Sequence, residues 1–187
     1  MKHFYLTILT FLLISNSSFA QESSRPSVES EQLTYHLLFG ISYEGAVGRL
    51  NTLRVSGPLD AGFLIESTTI NGYTHTESGY YLRIGVTGEF RHYYNLDKRL
   101  SKGKRVDKNS GNFIAPVVTI MGPALAHSDN VEVANFATAV GGVWGIQRNY
   151  GKRFNFQLSI GPGVGFADGE ISFVPMGGLS LGFRLGK

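Results

Sequence analysis

Apolar and polar residues alternate along most of the chain from Leu33 onward, and clusters of Gly, Asn, Asp and Ser separate the alternating stretches. A period of two is typical of β-strands, whose successive side chains point to opposite faces. Seven such stretches can be distinguished, at 33–44, 52–66, 79–94, 113–121, 133–146, 154–166 and 171–185. The pattern predicts an all-β chain.

Two of these stretches need comment. The stretch at 33–44 carries Tyr35, Leu37, Ile41 and Tyr43 on one face, and we interpret it as a single strand. The stretch at 113–121 is apolar on both faces, so its register stays open.

The length of the stretches favours a membrane barrel over a soluble one. Most exceed the about five to six residues common in soluble domains and reach the about 9–11 tilted residues that cross a bilayer. Bacterial single-chain barrels usually have an even number of strands. We therefore predict one antiparallel up-and-down transmembrane β-barrel of eight strands, with the eighth strand arising from a division near Gly57 and Pro58.

The faces opposite the apolar ones hold charged residues together with glycine and alanine, which suits a narrow lumen. Because an unpaired buried charge is costly, equal numbers of acids and bases there predict mutual pairing. The predicted lumen charge network comprises Glu44, Arg54, Asp60, Glu66, Arg83, Glu89, Arg91 and Arg184.

Aromatic residues add a second indication. If consecutive strands run antiparallel, one end of the barrel collects an interfacial girdle of Tyr43, Tyr94, Phe113, Trp144, Phe154 and Phe183. The alternative interpretation is a set of core or surface aromatics in a protein without a membrane.

The N-terminal residues have the charged, apolar and small-residue regions of a secretory signal peptide. We expect residues 1–20 to be removed after Ala20, residues 21–32 to form a flexible segment, and residues 33–187 to form the barrel. The apolar run at 4–14 is far shorter than the about 20 residues of a transmembrane helix.

Composition excludes several classes of function. The chain has no cysteine, which rules out disulfides, thiolate metal sites and a lipid-modified cysteine. Its formal net charge of +3 gives no indication of nucleic-acid binding, which needs clustered basic residues on one surface. The histidines share no ligand spacing, so we predict neither a metal site nor a cofactor.

The stretch 89–99, followed by Lys102-Gly103-Lys104 and by 109–113, resembles a motif in small outer-membrane barrel proteins of unknown function from Bacteroidota, and so does the tail 161–187. The similarity covers roughly residue 40 to the end. It implies an outer-membrane barrel without assigned catalytic residues. Within the tail, residues 180–187 resemble the signal read by the barrel insertion machinery, although the last residue is Lys187 rather than an aromatic.

Three further features are candidates for chemistry. The first is a basic loop within 95–112. On one interpretation it contacts anionic headgroups or an acidic partner. On the other it is a solvated turn that contains a short helix at 95–100. The second, Gly161-Pro162-Gly163-Val164-Gly165, lacks the ending of a phosphate loop and indicates close packing in the lumen. The third is His127 beside Ser128, whose side chains would point to opposite faces of a strand. The basic residues of the loop are Lys98, Arg99, Lys102, Lys104, Arg105 and Lys108.

The leading hypothesis is a non-enzymatic barrel in the outer membrane with a structural or surface-interaction role and at most a narrow pore. Its expected partners are outer-membrane lipid and the insertion machinery. Two alternatives stay open: a lipid-modifying barrel enzyme that uses the His127 region, and a soluble periplasmic barrel that carries an apolar ligand.

Overall fold

The computed structural model describes residues 26–37, 40–70, 73–131 and 133–185, with side chains left undescribed at 64–75. The predicted signal peptide lies outside these residues. None of the helices among them is long and apolar enough to span a membrane.

Nine strands form one antiparallel sheet, and a short helix, α1, occupies Leu96–Leu100 within the predicted basic loop. A 3-10 turn follows at Asp107–Asn109. The strands are β1 (Glu31–His36), β2 (Gly40–Ala46), β3 (Asn51–Gly57), β4 (Leu59–Ile70), β5 (Tyr73–Tyr93), β6 (Asn112–His127), β7 (Ala137–Tyr150), β8 (Phe154–Ala167) and β9 (Glu170–Leu185).

The sheet closes into a ring because its first strand pairs with its last, and β3 pairs with the second half of β5. The first half of β5 pairs with β4 instead. β3 and β4 therefore lie end to end along β5 and occupy a single position. The nine strands thus make a ring of eight strand positions. The predicted all-β antiparallel sheet is confirmed.

The source of the eighth strand differs from the prediction. The chain is interrupted at Pro58, but that interruption adds no position to the ring, since both pieces lie along β5. Instead the stretch predicted as one strand at 33–44 is a hairpin, in which Leu33 pairs with Tyr43 and Tyr35 with Ile41. Gly40 begins β2 with a φ of +93°, a value that disfavours residues with a Cβ.

The two ends of the ring differ. One end, here called the terminal end, holds Glu31 and Leu185 together with the connections at 47–50, 94–111 and 151–153. The other, the hairpin end, holds the β1–β2 and β6–β7 connections, the β8–β9 turn at Asp168 and Gly169, and a two-stranded ribbon of β4 and β5. Asp168 and Gly169 both have positive φ, as a two-residue hairpin turn requires.

The segment predicted as flexible at 21–32 overlaps ordered structure. Glu31 and Gln32 already belong to β1, and the backbone N–H of Val28 donates to the carbonyl of Arg49 at 2.9 Å. The Val28 side chain is buried beside the basic loop in the apolar cluster at the terminal end.

The ring reverses the usual distribution of polarity. Its buried residues include many polar and charged side chains, while the large apolar side chains lie on the outer face. Leu37, Phe63 and Ile84 are exposed on that face, as the alternation predicts. The small apolar cluster inside the ring comprises Val28, Tyr93, Leu96, Phe113, Ala115, Val117, Val143 and Met176.

β6 settles the register that the sequence left open. Ile114, Val118 and Ile120 point outward, whereas Phe113 and Val117 point into the ring. Phe113 is 0% exposed, so its predicted place in an outer aromatic girdle is wrong. The other five girdle residues lie on the outer face toward the terminal end, where Trp144 Nε1 donates to the Tyr94 hydroxyl at 2.7 Å.

Candidate functional site

Four of the predicted lumen charges form one buried group, here called the charge cluster: Glu44, Arg54, Glu89 and Arg91. They lie on β2, β3 and β5, which are neighbours in the ring, and the alternation of each strand turns them inward. Arg91 Nε donates to Glu89 Oε2 at 2.8 Å, and Arg91 Nη1 lies 3.4 Å from Glu44 Oε2. Arg54 donates to the other oxygen of Glu89. The acids and bases neutralise one another.

Uncharged groups add further hydrogen bonds to the charge cluster. Glu44 Oε1 accepts from Thr52 Oγ1 at 2.8 Å, from the Tyr93 hydroxyl at 2.8 Å and from Asn109 Nδ2 at 2.9 Å. Gln147 Oε1 accepts from Arg91 Nη1 at 2.9 Å. A buried ion pair is tolerated when further hydrogen bonds satisfy its remaining atoms, as they do around Glu44.

Arg91 also has an apolar neighbour. Its guanidinium carbon lies 4.2 Å from the centroid of the Phe113 ring, within the range of a cation–π interaction. The Phe113 ring fits because residue 145 is glycine: a Cβ there would lie 2.3 Å from Phe113 Cζ. The inward aromatic on β6 thus packs over the fully buried arginine.

The remaining predicted network residues are placed differently. Asp60 and Arg83 form a separate pair at 2.8 Å, partly exposed and closer to the hairpin end. Arg184 faces the interior opposite Thr34, and its Nε has no hydrogen-bond partner among the described residues. Glu66 pairs in register with Glu77, beyond the part of β5 that contacts β6, so its backbone lies in the ribbon outside the ring. Its side chain lies outside the described residues, so its predicted place in the lumen stays a prediction.

The basic loop closes the terminal end of the ring. Asn109 reaches Glu44, the Glu29 backbone N–H donates to Asn109 Oδ1 at 2.7 Å, and Leu96 of α1 is fully buried. The short helix predicted inside this loop is confirmed. The charge cluster is therefore covered by two chain segments, the basic loop and the N-terminal segment that contains Glu29.

Three of the six basic residues of the loop have structural contacts. Arg99 donates to the Arg105 carbonyl, Arg105 donates to the carbonyls of Asn149 and Gly151, and Lys108 contacts the carbonyl of Lys152. The hydrogen bonds from Arg105 hold the pKa of Asp107 below its ordinary value. Lys98, Lys102 and Lys104 are exposed.

A cavity of about 670 Å³ lies between the charge cluster and the hairpin end. Arg54, Glu89 and His36 form its floor. His36 is fixed by two hydroxyls, since its Nε2 lies 2.6 Å from Ser42 Oγ and its Nδ1 lies 2.7 Å from Ser180 Oγ. The interior is therefore blocked at one end and hollow toward the other.

Glycines on β7 and β8 make room for the inward side chains around this cavity. A Cβ at Gly163 would lie 2.4 Å from Met176 Sδ, and one at Gly141 would lie 2.6 Å from the same atom. The glycines at 161–165 thus serve close packing inside the ring, as predicted, and they lie within β8.

The His127 region does not form a nucleophile and base pair. His127 Nδ1 lies 3.0 Å from the carbonyl oxygen of Ser128 rather than from its hydroxyl. Ser128 Oγ instead accepts from the Tyr80 backbone N–H at 2.9 Å. This arrangement gives no support to the enzyme hypothesis.

Several residues that contact the charge cluster were missed in the sequence. Tyr93 and Gln147 lie on the inward faces of β5 and β7, so the same alternation that marks Arg91 and Gly145 could have identified them. His36 lies on the polar face of its stretch. Asn109, with a positive φ in the basic loop, carries no such periodic signal.

No family model, curated protein or solved structure matches the chain. The resemblance to Bacteroidota barrel proteins therefore stays a prediction.

Proposed function

We propose that the chain is a non-enzymatic β-barrel that spans the outer membrane, with a structural or surface-interaction role and a lumen closed at its terminal end. The observation that carries this proposal is the reversed polarity of the ring. Soluble proteins rarely expose a contiguous apolar surface larger than a few hundred Å². Here apolar side chains cover the outer face of successive strands, while polar and charged side chains make up most of the buried residues.

The backbone supports the same proposal. In lipid each backbone N–H and C=O needs a partner within the protein, a condition that a closed antiparallel sheet meets along its paired strands. The eight ring positions bring the first and last strands together as antiparallel neighbours. β6 to β9 have 14 to 16 residues, enough to cross the hydrocarbon layer when tilted.

The closed terminal end supports a structural role rather than a pore. Glu44, Arg91 and Asn109 are joined across the interior, and the basic loop lies over them. Of the two interpretations of the loop, the contacts of Arg99, Arg105 and Lys108 favour a folded cover over a free binding surface.

Fractionation and gel mobility test this proposal. We expect the protein to require detergent for extraction from outer membranes, and to migrate faster on a detergent gel before boiling than after it. Recovery in the periplasmic fraction without detergent, with the same mobility before and after boiling, would instead support the soluble barrel.

A further inference from the structure

We propose that the cavity binds an uncharged amphiphile with a single hydrocarbon chain, which enters sideways from the bilayer through an opening between β4 and β9. The direction of entry rests on the proposed function, whereas the chemistry of the cavity follows from its walls alone.

One wall of the cavity is apolar. It is formed by Val117 and Met121 of β6, Val143 of β7, and Val174 and Met176 of β9. A lumen that only holds water and paired charges does not require such a surface, and apolar groups gain free energy by leaving water. The volume lies within the roughly 300–1,000 Å³ of small-molecule sites. This wall is suited to a hydrocarbon chain.

The opposite wall is polar but carries balanced charge. Among the described residues, the charges lining the cavity occur as two pairs, Arg54 with Glu89 and Asp60 with Arg83. An ionised ligand would therefore lose hydration without gaining an unpaired counter-charge. On this side the hydroxyl groups of Ser56 and Thr87 provide donors and acceptors for an uncharged headgroup, and Thr119 of β6 and Ser159 of β8 add two more hydroxyls elsewhere on the cavity lining.

In the part of the chain that the structure describes, the strand pairing of the ring has a gap above the short β1–β2 hairpin. β1 pairs with β9 from Leu33–Leu185 to His36–Gly182, the Leu37 backbone N–H donates to the Leu181 carbonyl at 2.8 Å, and β4 pairs with β5 alone. Among the described residues, no strand therefore lies between the facing edges of β4 and the first part of β9. Pro58, Gly177, Gly178 and Leu179 line the cavity at this point, and the two glycines have no side chains to obstruct it.

The edges of this opening provide a further reason for a ligand with hydroxyl or ester groups. A strand edge presents backbone N–H and C=O groups without ladder partners. Such groups are costly when they face hydrocarbon. A glycerol-like headgroup placed at the opening can hydrogen-bond to these groups while its chain lies along the apolar wall.

The methionines provide a direct test. Apart from Met1, the chain has only Met121 and Met176, and both line the cavity. The full chain, with isotope-labelled methionine methyl groups, would be placed in nanodiscs of deuterated phospholipid and titrated with monolauroylglycerol. We expect nuclear Overhauser contacts between the lauroyl chain and both methyl groups.

Two matched substitutions on β7 locate the binding. Ala139 lines the cavity, whereas the adjacent Val140 faces outward. We expect Ala139→Trp to weaken binding by about tenfold or more because the indole fills the cavity, and Val140→Trp to change it by less than about twofold. Should Ala139→Trp not fold, Ala137→Trp nearer the mouth serves the same purpose.

The outcomes separate the two proposals. Failure of the unmodified chain to enter nanodiscs would contradict the membrane function. Entry without contacts to the methionine methyl groups, or contacts that persist unchanged in the cavity-filling variant, would overturn the ligand proposal. Laurate binding as tightly as monolauroylglycerol would refute the uncharged headgroup.

Discussion

Ile160 offers a test of whether the outer face of the ring contacts lipid. Its side chain is 66% exposed near the middle of β8, with about 20 Å of strand on either side at 3.3 Å per residue. If the ring spans a bilayer as proposed, this position lies close to the midplane. An arginine on the lipid face of a barrel costs about 2–4 kcal/mol at the midplane and about 0–1 kcal/mol near the interface. Ile160→Arg should therefore lower the free energy of unfolding by about 2–4 kcal/mol.

Ile171 provides the matched control. It is 69% exposed, faces the same way, and lies one residue from the start of β9 at the hairpin end. Ile171→Arg therefore introduces the same charge at similar exposure but at the end of a strand, which is close to the interface in the proposed orientation. We expect a loss of about 0–1 kcal/mol for this variant.

Urea titration of both variants in phospholipid vesicles, followed by tryptophan fluorescence, measures the difference. If the outer face were in water, both substitutions would be surface changes within about 0.5 kcal/mol of the original protein. Equal, small effects at the two positions would refute the lipid-facing assignment. A larger loss of unfolding free energy for Ile160→Arg than for Ile171→Arg supports it.

Three other predictions concern the interior. Glu89→Leu leaves Arg54 and Arg91 without their shared carboxylate and should lower the free energy of unfolding by about 3–5 kcal/mol in the same titration. Asp60→Leu breaks a partly exposed pair and should lower it by about 1 kcal/mol or less. Equal losses would contradict the charge cluster. Gly145→Ala should cost about 1–3 kcal/mol because its Cβ meets the Phe113 ring, and its combination with Phe113→Leu should be less destabilised than the sum of the two; strict additivity would show that the ring does not limit residue 145. Planar-bilayer recordings should show no stable conductance, and long-lived ion-conducting openings would contradict the closed terminal end.

The faces of the strands could be predicted from the sequence because alternation follows directly from strand geometry. Turns between strands were harder, as the hairpin of β1 and β2 illustrates. Leu33 and Tyr43 pair across it and both point outward, so the alternation continues through the turn without interruption. The connection contains Leu37 rather than a polar cluster, and only Gly40 indicates a change of direction.

The interior site was predictable to a similar extent. Glu44, Arg54, Glu89 and Arg91 could be assigned to one compartment from alternation and charge balance. Their separation from Asp60 and Arg83 depends on strand register, which a period of two does not specify. The inward position of Phe113 depends on register too, because its stretch is apolar on both faces.

Trp144 allows the central claim to be tested without any substitution. It is the single tryptophan of the chain, and it lies on the outer face of β7, 39% exposed. Purified protein in vesicles of phospholipid brominated along the acyl chains should show strong quenching of its fluorescence and little quenching by aqueous acrylamide. Strong quenching by acrylamide with no effect of the brominated lipid would show that this face lies in water and contradict the membrane barrel.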